Sequence, residues 1–196
     1  MGLFNCAGVR DIIAWCQLVS RGTFQDSSLY RIIRNTCGYE TAHIIFSKFN
    51  RYDPDPRFDQ LLHDNETRNK HPKLDDIIRS IEKLRSISQK RSAGEMVWDI
   101  TQRIGILRSS AKKYSMDDHY TLLNVGNLLK RAQDFTRRNK KNHSIVAFNI
   151  YLEAIMRSGG LPSIKPESYR SQDGVIVNTI HGVKGAEFPI VFIPFL

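Results

Sequence analysis

The chain has 196 residues, 41% hydrophobic and 25% charged, enough to bury one good core but with no apolar run long enough to span a bilayer. A formal net charge of +9 favours a polyanionic partner, nucleic acid being the commonest, although a solvated lysine-rich surface accounts for the same balance. Cys6, Cys16 and Cys37 are odd in number and lack C-x-x-C spacing, so neither a disulfide framework nor a zinc site is indicated. Nothing near the N-terminus has the basic-then-apolar build of a secretion signal, and a reducing cytoplasmic compartment is expected.

Val9, Ile12, Ile13, Cys16 and Val19 recur at helical spacing, which predicts a helix over 9–20 with one core face, ended by Gly22. Asp26 or Ser27 is placed to cap a second helix whose inner side is Leu29, Ile32 and Ile33. After Gly38, a third has Ala42, Ile45, Phe46 and Phe49 on one face. Pro54, Pro56 and Pro72, with the polar run 63–71, predict a linker over 52–73, with one helical turn around Phe58–Leu62. Leu74, Ile77, Ile78, Ile81, Leu84 and Ile87 mark a long helix. Ser92 and Glu95 then have capping-box spacing ahead of Met96, Val97, Ile100 and Ile104.

Gly105 and the stretch 109–115 read as a break before a helix from about Asp118 to Arg138, with Leu122, Val125, Leu129 and Ala132 inward. Lys130, Arg131, Arg137, Arg138, Lys140 and Lys141 gather at its C-terminal end. Cations there complement the helix dipole and make a well-finished solvated end. The same residues would also serve as a phosphate-contacting patch. Ser144 is placed to cap a last helix with Ile145, Phe148, Leu152 and Ile155 inward, terminated by Gly159-Gly160.

The final stretch differs in kind. Val175–Val177 and Ile190–Ile193 are β-branched and aromatic, with almost no polar alternation, as in strands buried on both faces. Between them lie Thr179, His181, Lys184 and Glu187, with glycines at 182 and 185 that let backbone N–H groups approach an anion. Such a loop forms either a phosphate- or ribose-contacting edge or a plain Gly-rich turn.

This stretch resembles motif V of the UvrD/Rep family of superfamily-1 DNA helicases. The pattern T-x-H-x-x-K-G-x-E-F-P-x-V-F is met at Thr179, His181, Lys184, Gly185, Glu187, Phe188, Pro189, Val191 and Phe192. The opening, V-R-D-I-I-A-W-C-Q-L-V followed by L-Y-R-I-I-R-N, is similar to the entry into the family's helical accessory subdomain, 2B. The resemblance implies a mainly α fold: a 2B-like helical subdomain over 1–172, then a two-strand motif V segment over 173–196 belonging to an incomplete RecA-like α/β motor domain, 2A. It implies that Thr179, His181 and Lys184 contact the DNA backbone, and that Gly185 and Glu187 lie at the nucleotide. At the turn where the family often carries Gly-x-Gly against duplex DNA, only Gly38 remains and Glu40 adds a negative charge. That departure speaks against duplex contact there.

The parent implied by the resemblance is an ATP-dependent helicase that unwinds DNA in replication or repair, using ATP and magnesium on single-stranded DNA and single/double-strand junctions. This chain has no G-x-x-x-x-G-K-[ST] loop and no Asp-Glu pair after an apolar strand. It is therefore expected to be catalytically inert, with no metal or cofactor of its own, and to contribute DNA contact and regulation. The apolar ending at Leu196 reads as an excision from a longer protein, and unpaired strands there would favour self-association. The alternative is a stand-alone basic helical nucleic-acid-binding module. A helicase–nuclease subunit would differ only in parts this chain lacks.

Overall fold

The computed structural model describes residues 2–49, 57–108, 115–161, 179 and 187–193, with Met116 described in backbone alone. The chain divides into two compact units, Met1–Pro166 and Glu167–Leu196. The boundary expected at 172/173 falls outside the described residues.

The first unit is helical. A short 3-10 turn (Leu3–Asn5) leads into α1 (Ala7–Ser20), which contacts α2 (Gln25–Cys37), α6 (Pro72–Ser88), α7 (Ala93–Ile104), α8 (Met116–Arg138) and α9 (Ile145–Arg157). The expected single core face of α1 is too narrow. Ala14, Trp15, Gln17 and Leu18 are buried as well as Val9, Ile12, Ile13, Cys16 and Val19, because five other helices contact α1 and leave only its first turns, at Ala7 and Arg10, open to solvent. Burial pushes the Cys16 thiol up to about 12, and all three cysteines are free.

Arg21, not Gly22, takes the left-handed position after α1, at φ 54°. Its N–H and that of Gly22 donate back to Leu18 O and Gln17 O, the paired bonds of a Schellman ending. Neither Asp26 nor Ser27 caps α2, whose N-cap is Phe24. Asp26 instead accepts from the backbone N–H of Arg57 at 3.3 Å. Asp11 holds α2 against α1, accepting from Arg31 Nε at 2.6 Å and Asn35 Nδ2 at 2.9 Å. Gly38, at φ 94°, joins α2 directly to α3 (Tyr39–Ser47), where Ala42 and Ile45 are buried and Phe46 packs edge-on to Tyr30.

The linker expected over 52–73 is not one in its described part. Residues 57–63 form α4 (Arg57–His63), the helical turn expected around Phe58–Leu62, which covers the core with Phe58 and Leu61, and residues 65–70 form α5 (Asn65–Lys70), which buries Thr67. Asp64 caps α5 by accepting from Thr67 N at 3.0 Å, and Pro72 opens α6, where a missing N–H costs nothing. The capping box at Ser92 and Glu95 is present, and Gly105 closes α7 in the left-handed conformation. On α8 the inner residues are Val125, Leu128 and Ala132, with Leu122 and Leu129 only half-buried. Ser144 caps α9, and Gly159 and Gly160 follow it with positive φ. The last described residue of the unit returns to its start, with Leu3 N donating to Leu161 O at 2.7 Å.

Of the second unit, Val175–Val177 lie outside the described residues. Ile190–Ile193 are described and carry no strand, with Ile190 74% and Phe192 87% exposed. A strand is defined by its ladder, and among the described residues this run has no neighbour to pair with.

Candidate nucleic-acid interface

The basic end of α8 is built by ordinary helix rules. Ser115 accepts from Asp118 N at 3.2 Å, and the apolar positions turn Leu128 and Ala132 inward. That phase leaves Lys130, Arg137 and Arg138 exposed and Arg131 half-buried. Asn139 stops the helix, its backbone N–H and side-chain amide both donating to Phe135 O at 3.0 and 2.9 Å. The turn into α9 then carries Lys140, Lys141 and His143, all exposed. From 137 to 143 the chain bears four cations and a histidine with no acidic residue among them.

Packing of α7 on α8 brings the start of α7 beside this end. A shallow hollow of about 480 Å³ results, lined by Ser92, Thr136, Arg137, Lys140 and His143. The first N–H groups of α7 are already taken: Ala93 N donates to His143 O at 2.6 Å, and Gly94 N to Thr136 Oγ1 at 3.0 Å. Glu95 N donates to Ser92 Oγ at 3.4 Å. An anion entering the hollow therefore meets side-chain cations, with only the helix dipole as a backbone contribution.

Two carboxylates temper the field. Asp134 pairs with Arg137, whose hydrogen bond holds that carboxyl below its usual range. Glu95 is held low by the backbone N–H of Ser92. Among the described residues no carboxylate forms an ion pair with Arg138, Lys140 or Lys141. The structure thus brings Arg137 and Lys140 together on one wall, while Arg138 and Lys141 stand outside the lining. Ser92, read from sequence only as a helix cap, joins them together with Thr136 and His143, which the sequence does not mark. The Ser92 capping box and the Ser144 cap mark two chain ends that could meet, but only the α7–α8 packing makes them do so.

Across its whole length, residues 1–196, the chain matches the family model of the UvrD-like helicase C-terminal domain. The chain belongs to that family. Among curated proteins none matches it. Of the UvrD-like motif residues, Thr179 and Glu187 are described and exposed, whereas His181, Lys184 and Gly185 lie outside the described residues. The sequence carries no G-x-x-x-x-G-K-[ST] phosphate-binding loop. Among the described residues no group of three or more His, Cys, Asp or Glu is placed to hold a metal ion, and no helix is long and apolar enough to cross a membrane.

Proposed function

We propose that this member of the helicase family is the part of an ATP-dependent DNA helicase that contacts DNA through the basic end of α8, while ATP is hydrolysed by motor elements this chain does not carry. The carrying observation is the exposed cluster of Arg137, Arg138, Lys140 and Lys141, of which, among the described residues, only the first is ion-paired. With the backbone donors of α7 occupied, contact is made by point charges on phosphates, which gives affinity without sequence preference. Thr179, His181 and Lys184 supply single-strand backbone contacts when the motor domain is complete, and Gly185 and Glu187 meet the nucleotide, where ATP and magnesium bind. The bond between Leu3 and Leu161 supports the inserted-subdomain reading, since an insertion must bring its two ends together.

The test is a fluorescence-anisotropy titration with single-stranded DNA and a single/double-strand junction in rising salt. Replacing all four cations (Arg137→Glu, Arg138→Glu, Lys140→Glu and Lys141→Glu) is expected to weaken binding about 100-fold at low salt and to flatten the log–log salt slope by about 3. Unchanged affinity in a variant with the wild-type circular dichroism spectrum would show that these cations merely finish the helix. A second expected result concerns ATP. Phosphate release by this chain, with or without DNA, stays at the no-protein level, and turnover that persists through a second purification would refute the division of labour.

A further inference from the structure

A second hollow, of about 520 Å³, lies between α1, α2 and the C-terminal half of α9. From His143 to Arg157 the span along α9 is about 20 Å, so this hollow is separate from the basic end of α8. Its volume falls in the range of small-ligand sites. A charged group lines it: Glu153, only 9% exposed. Glu153 Oε1 accepts from Gln17 Nε2 at 2.9 Å and Asn149 Nδ2 at 3.3 Å. Among the described residues, Oε2 accepts only a long 3.5 Å bond from Thr23 Oγ1. Among the described residues no cation pairs with this carboxylate, although a buried carboxylate ordinarily has one or a full set of donors.

The cations stand at the rim instead. Of the lining cations, half-buried Arg31 is held by Asp11, whereas Arg10 and Arg157 are exposed and, among the described residues, neither forms an ion pair. Phe24, 47% exposed, and Phe4 add aromatic surface to the lining. A complementary ligand needs an N–H donor at one end, a flat apolar body, and a negative charge at the other end. A nucleotide with its base unpaired has all three. We infer that this hollow takes an unpaired base bearing an exocyclic amine, adenine, cytosine or guanine rather than thymine, of single-stranded nucleic acid. The exocyclic amine donates to Glu153 Oε2, the ring lies on Phe24, and the adjoining phosphate sits between Arg10 and Arg157. Thymine is disfavoured because its one ring N–H is flanked by two carbonyl oxygens that would face the carboxylate.

For oligonucleotides the inference rests on the nucleic-acid contact proposed above, so the experiment separates base preference from backbone affinity. Anisotropy is measured for the full chain with labelled single strands of about 12 nucleotides, all-dA, all-dC or all-dT. The wild type is expected to hold dA and dC about tenfold more tightly than dT. Glu153→Gln, which keeps the shape and one acceptor for Gln17 and Asn149, is expected to bring that ratio to about one without changing dT affinity or the salt slope. The four-cation variant of α8 should do the reverse, weakening all three strands and keeping the ratio.

A wild-type ratio of one, or a ratio that survives Glu153→Gln, would overturn the site. If no strand binds, the proposed DNA contact fails and mononucleotides decide the hollow by themselves. Phosphorylated deoxyadenosine should then shift the amide signals of Thr23, Phe24 and the Gln17 side chain, and phosphorylated thymidine should not. No shift up to about 10 mM would end the proposal.

Discussion

Replacing Arg85 with alanine is expected to destabilise the helical unit by about 3 kcal/mol. This arginine, whose side chain is 13% exposed, reaches from α6 to the end of α1. There its Nε and Nη2 donate to Leu18 O at 3.0 and 2.8 Å. Leu18 is among the last residues of α1, where carbonyls lack a partner further along the helix, and its other donor, Arg21 N, is 3.5 Å away. The same guanidinium reaches Gln25 Oε1 at 3.2 Å and Asp59 Oδ1 at 3.4 Å, and lies 4.3 Å from the ring centre of Phe58. One side chain thus joins α6 to α1, α2 and α4. Alanine leaves the carbonyl under-satisfied and Asp59 without its ion-pair partner. The expected fall in melting temperature is about 6–12 °C. Lysine should recover less than half of the loss, because a single ammonium cannot fork onto one carbonyl while lying over a ring. A urea-unfolding loss below about 1 kcal/mol would mean that water replaces the guanidinium at Leu18.

The parts of this fold that were legible in the sequence are those whose causes lie within a few residues. Ser92 with Glu95, Ser144, Gly105 and Gly159-Gly160 act on the first or last turn of their own helix, and each does in the structure what its position implies. The mainly helical class follows from the same local signals. Helix α5 was not legible, and α4 only as a single turn around Phe58–Leu62, because at 6 and 7 residues with few apolar positions they are too short for a period to show. Helix α4 exists because Phe58 and Leu61 find the core and Arg85 finds Asp59, and α5 is tied to α6 by Arg68 and Asp75, contacts that lie outside either helix's own sequence.

The candidate site divides the same way. Arg137 and Lys140 stand out as cations in sequence, but the neighbourhood of Ser92 and His143 depends on how α7 lies on α8. The buried carboxylate of Glu153 was hidden for the opposite reason. On a helix whose inner face already reads as Ile145, Phe148 and Leu152, a glutamate suggests solvent until Gln17 is known to lie opposite.

Gly22→Ala is expected to cost about 3 kcal/mol, although the position follows a helix and its φ is not positive. The reason is space. A Cβ on Gly22 would overlap Gln17 Oε1 and Asn149 Nδ2 and lie 3.0 Å from Gln17 Cδ. Gln17 has little freedom to withdraw, because its Nε2 holds Glu153 Oε1 at 2.9 Å and its Oε1 accepts from Phe24 N at 3.3 Å. Moving it would strip a donor from a buried carboxylate, so the added methyl either strains the turn or breaks the network. The neighbouring position should respond with the opposite sign. Arg21 carries a side chain at φ 54°, and Arg21→Gly relieves that conformation, with an expected gain of about 0.5–1 kcal/mol. Urea unfolding of the two single variants separates the roles: the glycine needed for space is Gly22, while the left-handed residue is Arg21. A neutral Gly22→Ala would mean that Gln17 has a second position open to it, and that the donors around Glu153 are not held rigidly in place.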